Sequence, residues 1–373
     1  MPEARKIDKG AEQTIREMLQ ALLASGQVSA VLSLGRTGGD QGGVAYSLFT
    51  DPEAFGPEGA AQPFFPLMPA NAGGLLSRLT FKGALTKPIA AVIRPCELRA
   101  FVELVKLNEA RMDNVLLISS TCSGVYTFNV ANNGGVKPRL PQYWKQVEQG
   151  ELDADVRESC RSCIHFVPRV ADITVALLGE GNLDTQCTLY LHTEKAAALV
   201  DGLEGFQGTP ASGELETEAI QRSLGQRQAF RDEVFGQIEV GLQGLVHTFG
   251  RCISCRACKT VCPICYCQLC YFDSPKCERL PRFYEDELLK KGGLRVPADT
   301  IYFQIGRMAH MSASCVGCGM CMDVCPADIP VSTIFSKVGT AVQAVFDYVP
   351  GRDLEEPVPV QTFEQEELAQ VAT

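Results

Sequence analysis

The sequence predicts a mixed α/β (α+β) domain followed by a ferredoxin-like iron–sulfur domain. From about residue 11 to residue 245, short apolar runs typical of strands alternate with helical patterns, which favours an α/β sheet. After residue 250 the spacing Cys-x-x-Cys-x-x-Cys-x-x-x-Cys-Pro occurs twice, as in bacterial two-cluster ferredoxins. We therefore divide the chain into residues 1–245, residues 246–335, and a C-terminal helix with an acidic tail over residues 336–373.

The elements of the first domain follow from the period of its apolar residues. The stretch AEQTIREMLQALLASG is an amphipathic helix that ends at Gly26, and residues 28–34 form a buried strand after it. The stretch KPIAAVIRPCELRAFVELVK is a strand, a proline turn and a helix. Further strands are predicted at NVLLISSTC, DITVALLG and CTLYLH, with a helix at EKAAALVDGL. A surface connection near residues 202–216 then leads to a long polar helix near residues 215–245.

Composition and charge exclude several classes of function. The net charge of −10 argues against nucleic-acid binding, which depends on clustered Lys and Arg. We expect no membrane span, because no apolar run approaches the length of about 18 residues that a spanning helix needs. The N-terminal segment lacks the apolar core of an export signal, so we expect a cytoplasmic protein. In that compartment the 17 cysteines are expected to be metal ligands rather than disulfides.

The duplicated cysteine run is the most specific motif in the chain. The first run comprises Cys252, Cys255, Cys258 and Cys262. The second run comprises Cys315, Cys318, Cys321 and Cys325. In two-cluster ferredoxins the fourth cysteine of each run binds the other cluster, which pairs Cys325 with the first three-cysteine loop and Cys262 with the second. A pair of zinc sites is the alternative, but zinc ribbons use Cys-x-x-Cys pairs rather than a triplet ending in Cys-Pro.

Four scattered cysteines in the first domain form a second group: Cys96, Cys122, Cys160 and Cys163. A lone cysteine of this kind is most often inert and buried. Cys96 and Cys122, however, follow predicted strands at the edge where α/β sheets bind ligands. Cys96 also begins a helix, where the backbone N–H groups favour a thiolate.

These residues carry a resemblance to a known family. The stretch RPCELRAFVEL, the Cys-Ser-Gly after the next strand, and CRSCIHF followed by ADITVALLG together resemble the beta-subunit family of deazaflavin (coenzyme F-420) hydrogenases and dehydrogenases, of the formate dehydrogenase beta-subunit kind. The resemblance covers roughly residues 28–200. It implies a flavin-binding domain that holds FAD, with a 4Fe-4S cluster beside it.

Carried over by position, the resemblance makes Cys96, Cys122, Cys160 and Cys163 the ligands of that cluster. It also implies flavin contacts at Gly42, Gly43 and Asp172. Arg94 lies in the same region, where a cation would stabilise a reduced, anionic flavin. The chain departs from the family at Ala176 and Leu177, where Gly and Asp are usual, and at Gln41 before the glycine pair.

Further cysteines follow the first run: Cys265, Cys267, Cys270 and Cys277. These four extra cysteines could hold a fourth iron–sulfur cluster, a structural zinc, or nothing, and we favour the fourth cluster. Cys187 lies alone in a predicted strand and is expected to be a core residue.

The cofactors together predict a function. A flavin takes two electrons at once and clusters carry one each, so the chain is expected to be an electron-transfer subunit of a soluble anaerobic redox complex. By analogy, its partner is a heterodisulfide-reductase-type flavoprotein, a formate dehydrogenase or a hydrogenase. No catalytic residue is identified, and an enzymatic role as an oxidoreductase subunit is expected. The alternatives are an electron conduit without a substrate of its own, which the departure at Ala176 and Leu177 favours, and a zinc-rich scaffold.

Overall fold

The computed structural model describes residues 3–38, 43–211, 214–359 and 361, and its centre is one eight-stranded sheet. The strands are β1 (Glu3–Ile7), β2 (Ala30–Arg36), β3 (Val44–Phe49), β4 (Ile89–Val92), β5 (Val115–Ser120), β6 (Ile173–Val175), β7 (Cys187–Leu191) and β8 (Thr209–Pro210). Their order across the sheet is β3-β2-β4-β5-β6-β7-β1-β8. The four neighbours β2, β4, β5 and β6 are parallel, and the remaining pairs are antiparallel.

Helices cover both faces of this sheet. They are α1 (Ala11–Ala24), α2 (Ala72–Thr80), α3 (Pro95–Lys106), α4 (Phe128–Asn132), α5 (Leu140–Gln149), α6 (Glu158–Arg161) and α7 (Glu194–Asp201). Successive residues of β5 alternate between two cores: Leu116 and Ile118 pack with α1, whereas Val115 and Leu117 pack with α2 and α3. The predicted α/β class is therefore confirmed, with mostly parallel strands buried on both sides.

The sequence pattern located most of these elements but not all. The strands β2, β4, β5, β6 and β7 and the helices α1, α3 and α7 lie where they were predicted. The strands β1, β3 and β8 were not predicted, and β8 pairs with β1 inside the segment expected to be a surface connection. The single polar helix expected near residues 215–245 is wrong, because the chain forms α8 (Glu218–Gly236) and α9 (Gly241–Phe249). The break falls before Gly241, whose φ of 79° is unfavourable for other residues.

The cysteine-rich part is built from short helices. They are α10 (Ala257–Thr260), α11 (Pro281–Lys291), α12 (Thr300–Met311), α13 (Met320–Asp323) and α14 (Val331–Val345). Each of α10 and α13 follows a cysteine loop, and the two helices contact each other. Apolar residues of α9, α12 and α14, including Phe249, Met308 and Phe335, form a separate core beneath them. Part of the acidic tail lies outside the described residues.

Buried polar contacts join the cysteine-rich part to the α/β part. Arg157 and Asp323 form an ion pair of 2.6 Å, with side chains 3% and 5% exposed. Arg99, on α3, donates from Nε to the carbonyl of Pro350 (2.7 Å) and from Nη1 to that of Val316 (3.2 Å). These contacts hold α3 and its neighbours against the second cysteine loop.

Among the helices that the structure describes, none is both long and apolar enough to pass through a lipid bilayer.

Candidate functional site

Two of the scattered cysteines lie together at the carboxyl edge of the parallel strands. Cys96 is the second residue of α3, four residues after β4 ends, and Cys122 lies two residues after β5 ends. The turn before Cys96 is fixed by Glu97, a fully buried carboxylate that accepts hydrogen bonds from Arg94 N (2.8 Å), Ala72 N (3.1 Å) and the Tyr46 hydroxyl (2.8 Å). Fixed backbone at this edge places both thiols on one side of the sheet.

The other two cysteines reach the same place through a loop that runs beside Cys122. The amide of Cys122 donates to the carbonyl of Phe166 (2.9 Å), and the amide of Arg157 donates to that of Val125 (2.9 Å). The loop passes so near that a Cβ built on Gly124 would lie 2.9 Å from Cβ of Cys160, so only glycine fits there. Cys163 follows Cys160 in one turn, since its amide donates to the Cys160 carbonyl (3.2 Å).

The four thiols of this sheet-edge group, Cys96, Cys122, Cys160 and Cys163, are partly buried. Burial, together with the nearby Cys160 thiol, raises the pKa of Cys122 to about 11. Burial also raises the pKa of Cys96 and of Cys160. Buried thiols of this kind become thiolates only when a positive charge, such as iron, binds them.

The charge around the sheet-edge group fits an anionic cluster. Arg227, 1% exposed, donates from Nη2 to the Cys122 carbonyl (2.8 Å) and from Nη1 to the Cys160 carbonyl (3.4 Å). Its guanidinium also stacks on the Phe166 ring at 3.8 Å. Among the described residues no carboxylate forms an ion pair with Arg227, and an uncompensated buried charge is costly. A cluster with four thiolate ligands is negatively charged and would supply the missing partner.

The cysteines of the second ferredoxin-type site line one cavity. Cys262, Cys315, Cys318 and Cys321 surround an empty volume of about 390 Å³, together with Met311 and Phe335. The loop between them turns at Gly317 and Gly319, whose φ values are 68° and 82°. The set matches the ligand exchange predicted from the duplicated run, three cysteines from one loop and one from the other.

The first ferredoxin-type site has its own buried cation. Arg307, 3% exposed, donates from Nη1 to Sγ of Cys258 (3.1 Å) and from Nη2 to the Cys258 carbonyl (3.1 Å). Its Nε is buried without a hydrogen-bond partner, and its guanidinium faces the Phe335 ring at 4.8 Å. Cys325 packs in the same apolar cluster as Cys252. Arg307 thus resembles Arg227: a buried guanidinium whose nearest groups belong to a cysteine site.

The four extra cysteines do not face one point. Sγ of Cys265 lies 2.8 Å from Sδ of Met311, whereas Sγ of Cys277 donates to the Tyr271 carbonyl at 3.2 Å. Cys267 is exposed, and Cys270 packs near Phe272. In the described part of the chain, no three His, Cys, Asp or Glu side chains are arranged to hold a single metal ion. Because that also holds for the sheet-edge group and the ferredoxin-type sites, it does not separate the extra cysteines from them. Cys187 is buried in β7, as predicted.

A cleft opens beside Cys122 at the carboxyl edge. Its empty volume is about 440 Å³, and its walls include Arg94, Thr121, Ser123, Trp144 and Leu177. The Ser123 hydroxyl is buried and has no hydrogen-bond partner, so a polar ligand atom could satisfy it. The cleft therefore offers a ligand one unsatisfied polar group at this edge, and a flavin there stays a prediction.

The residues that the resemblance implies as flavin contacts do not all lie at this cleft. Gly42 lies outside the described residues, and Gly43 accepts a hydrogen bond from the Thr37 amide (2.9 Å). Arg94 lines the cleft, but its guanidinium already donates to the Phe65 (2.6 Å) and Leu67 (3.1 Å) carbonyls.

Asp172 precedes β6, at the amino end of that strand. Its carboxylate accepts hydrogen bonds from Leu117 N (2.8 Å) and the Thr193 hydroxyl (2.9 Å). Its observed contacts are therefore structural, and its role at a flavin stays a prediction.

The sheet-edge group adjoins the second ferredoxin-type site. Cys96, Cys160 and Cys318 pack around one apolar cluster that contains Met68 and Met320. Cys163 and Cys315 line a common cleft of about 430 Å³. The two cysteine groups therefore share walls on two sides.

Sequence reasoning missed the buried arginines. Arg227 belongs to a polar helix in which no pattern distinguishes it. Arg307 could have been noticed, because it is a charged residue on the buried face of α12, one turn from Phe303 and Met311.

Comparisons with known proteins agree with this architecture. Residues 86–222 match the family described as the C terminus of the beta subunit of coenzyme F420 hydrogenase/dehydrogenase, and residues 310–331 match the 4Fe-4S binding domain. Both stretches are thus similar to known domains, and the resemblance noted in the sequence is confirmed.

Two relatives are formate dehydrogenase subunits. The F420-dependent formate dehydrogenase subunit beta of Methanocaldococcus jannaschii is 26% identical over an alignment of 317 positions, which covers 76% of this chain and 78% of that one. The F420-dependent formate dehydrogenase 1 subunit beta of Methanococcus maripaludis is 28% identical over an alignment of 326 positions, which covers 77% of this chain and 81% of that one. A chain of the F420-reducing [NiFe] hydrogenase complex from Methanosarcina barkeri superimposes with a TM-score of 0.43 at 12% identity, covering 65% of this chain and 93% of that one. The prediction of an oxidoreductase-subunit type is confirmed by the two formate dehydrogenase relatives.

Proposed function

We propose that the chain is an electron-transfer subunit that exchanges two-electron equivalents at the sheet-edge cleft and single electrons with a partner oxidoreductase. When bound, FAD supplies the two-electron chemistry and 4Fe-4S clusters supply the one-electron steps. The observation that carries the proposal is the arrangement of the cysteines. The sheet-edge group lies between the cleft and the second ferredoxin-type site.

The chain's own residues define the order of the sites. Cys122 belongs both to the sheet-edge group and to the wall of the cleft. Cys96 and Cys318 pack in one apolar cluster. The cysteines of the first ferredoxin-type site follow, since Cys321 packs beside Cys258. This order supports a route from the cleft, through the sheet-edge group and the second site, to the first site.

Apolar packing keeps water from these boundaries. Met68 and Met320, each 1% exposed, fill the space between the sheet-edge group and the second site. A dry environment strengthens the effect of nearby charges on a redox centre and tunes its potential. Arg227 and Arg307 are the cations placed to exert that effect.

The partner and the two-electron donor are proposed by analogy with the relatives. The relatives are named as F420-dependent formate dehydrogenase subunits, so we propose that this chain also works within a complex of several subunits. A formate dehydrogenase, a hydrogenase or a heterodisulfide-reductase-type flavoprotein is the proposed partner. Reduced deazaflavin is one proposed donor. NADH, NADPH and a donor protein are the others, because Leu177, an apolar residue, stands on the cleft wall where the family usually has Asp.

The test is anaerobic rapid mixing of the full, flavin- and iron-loaded chain with NADH, NADPH and reduced deazaflavin in turn. Fast bleaching of the flavin, then of the clusters, by one donor would support the proposal and name the donor. Two results would instead support the electron-conduit alternative. The chain would bind no flavin, or its clusters would be bleached by dithionite but by none of these donors. A Leu177→Asp variant, which restores the residue usual in the family, tests whether the cleft decides between donors.

A further inference from the structure

Cys265 follows Cys262 by three residues and lies beside the same ferredoxin-type site, the second one. The segment Cys262-Pro-Ile-Cys265 closes a turn, because the Cys265 amide donates to the Cys262 carbonyl at 3.2 Å. Sγ of Cys265 is 2.8 Å from Sδ of Met311, and Sγ of Cys262 is 3.9 Å from the same atom. The two thiols are therefore at most 6.7 Å apart, the sum of those distances.

Met311 connects this pair to the second ferredoxin-type site. Its side chain lines the enclosed cavity formed by Cys262, Cys315, Cys318 and Cys321. Cys265 also packs in the apolar cluster that holds cysteines of both ferredoxin-type sites, Cys315 and Cys321 of the second and Cys252 and Cys325 of the first. Through its contact with Met311, a fifth thiol thus lies next to the cavity of the second site.

Cys265 also lines an open cleft. This cleft has an empty volume of about 1380 Å³ and runs between α2 and the loop after Cys262, with Gly74, Arg78 and Tyr266 on its walls. Cys262 lines it too. Cys265 therefore contacts Met311, which lines the cavity of the second site, and also adjoins a region that solvent and reagents can reach.

We propose that Cys265 is a reserve ligand of the second ferredoxin-type site, able to take the place of Cys262. The proposal rests on the proposed function, because it requires a 4Fe-4S cluster at that site. In the exchange one Fe–S bond, to Cys262, breaks and another, to Cys265, forms. The Cys265 thiol gives up its proton and the Cys262 thiolate takes one, so no electron moves and no other reactant is needed.

This assignment also lowers the number of extra cysteines that could hold a fourth cluster. With Cys265 at the second site, Cys267, Cys270 and Cys277 remain as three thiols. The chain is then expected to bind three clusters rather than four.

The experiment compares anaerobically loaded full-length variants: C262A, C265A, the double variant C262A/C265A, and C187A as a control in the core of β7. Iron content and the low-temperature EPR spectrum of the reduced protein are measured for each. C262A and C265A are expected to keep the iron of the wild type, with an altered EPR signal only in C262A. The double variant is expected to lose about four iron atoms, one cluster.

A second measurement tests the ligand directly. Iodoacetamide is added to the loaded protein, and alkylated cysteines are identified by mass spectrometry. Cys265 is expected to be alkylated in the wild type and protected in C262A. Loss of one cluster from C262A alone, or retention of all clusters in the double variant, would overturn the inference while leaving the proposed function intact. Absence of clusters from the wild type would overturn the proposed function itself.

Discussion

Replacing Arg307 by glutamine is expected to lower the reduction potential of the first ferredoxin-type site. The guanidinium donates to Sγ of Cys258 at 3.1 Å and is almost completely buried. A reduced cluster carries one more negative charge than an oxidised one, so a neighbouring cation stabilises the reduced form more. Removing the cation must then make reduction harder.

The size of the effect follows from the contact. A hydrogen bond with a charged partner contributes about 1.5–3 kcal/mol. For a one-electron couple, about 1.4 kcal/mol corresponds to about 59 mV. If most of the contribution is made to the reduced state, R307Q lowers the potential by roughly 60–130 mV. Two unit charges about 4 Å apart at an effective permittivity of about 20 interact by about 4 kcal/mol, which is an upper limit because the added electron spreads over the cluster.

The assay is an EPR-monitored redox titration of the loaded wild type and variants. The matched control is R282Q, because Arg282 lies on α11 with a side chain 87% exposed and an ion pair to Asp286. Water and salt screen that charge, so a shift below about 10 mV is expected. R307K, which keeps the charge, should recover part of the potential. Equal potentials in R307Q and the wild type would refute the assignment of Arg307 as the charge that tunes this site.

Three further predictions concern stability and iron. D323N leaves Arg157 buried without its partner and should destabilise the loaded protein by about 3–5 kcal/mol, which would lower its thermal midpoint. An unchanged midpoint would show that the ion pair does not stabilise the contact between the two parts of the chain. R307M should lower the thermal midpoint of the loaded protein but raise or leave unchanged that of the iron-free protein, because only bound iron–sulfur clusters compensate the buried charge. A lower thermal midpoint in both forms would contradict this reasoning. C187A should keep the full iron content by colorimetric assay, because Cys187 is buried in β7 within the apolar core around α1, and lost iron would show that the core assignment is wrong.

Short sequence patterns were enough to place the cysteines whose surroundings are formed by residues close to them in the chain. A strand end, a proline turn and a helix start lie within a few residues of Cys96, so the pattern alone placed it at the sheet edge. The same holds for the three-cysteine loops, where the spacing itself sets the geometry. β1 was missed because its sequence, EARKI, has three charged residues in five and neither an apolar run nor a strict alternation. It owes its structure to pairing with β7.

Long-range contacts explain the rest. No pattern in the helix around Arg227 shows that its guanidinium reaches the carbonyls of Cys122 and Cys160, which lie 105 and 67 positions away. Nor does the spacing of the extra cysteines show that Cys265 faces Met311, 46 positions away. Both facts depend on how separately folded pieces pack, and single-sequence periodicity carries no information on that packing.

The packing between the two parts bears directly on electron transfer. Transfer between redox centres slows steeply with distance, so a loose tether between a sheet-edge site and a ferredoxin-type site would make the rate vary. Here Asp323, which follows the second cysteine loop, is tied to Arg157 by a buried ion pair, and Arg99 holds the carbonyl next to Cys315. Arg157 itself lies three residues before Cys160. The residues that join the two parts are thus neighbours of the cysteines on each side, and the same contacts that stabilise the fold fix the separation between the sites.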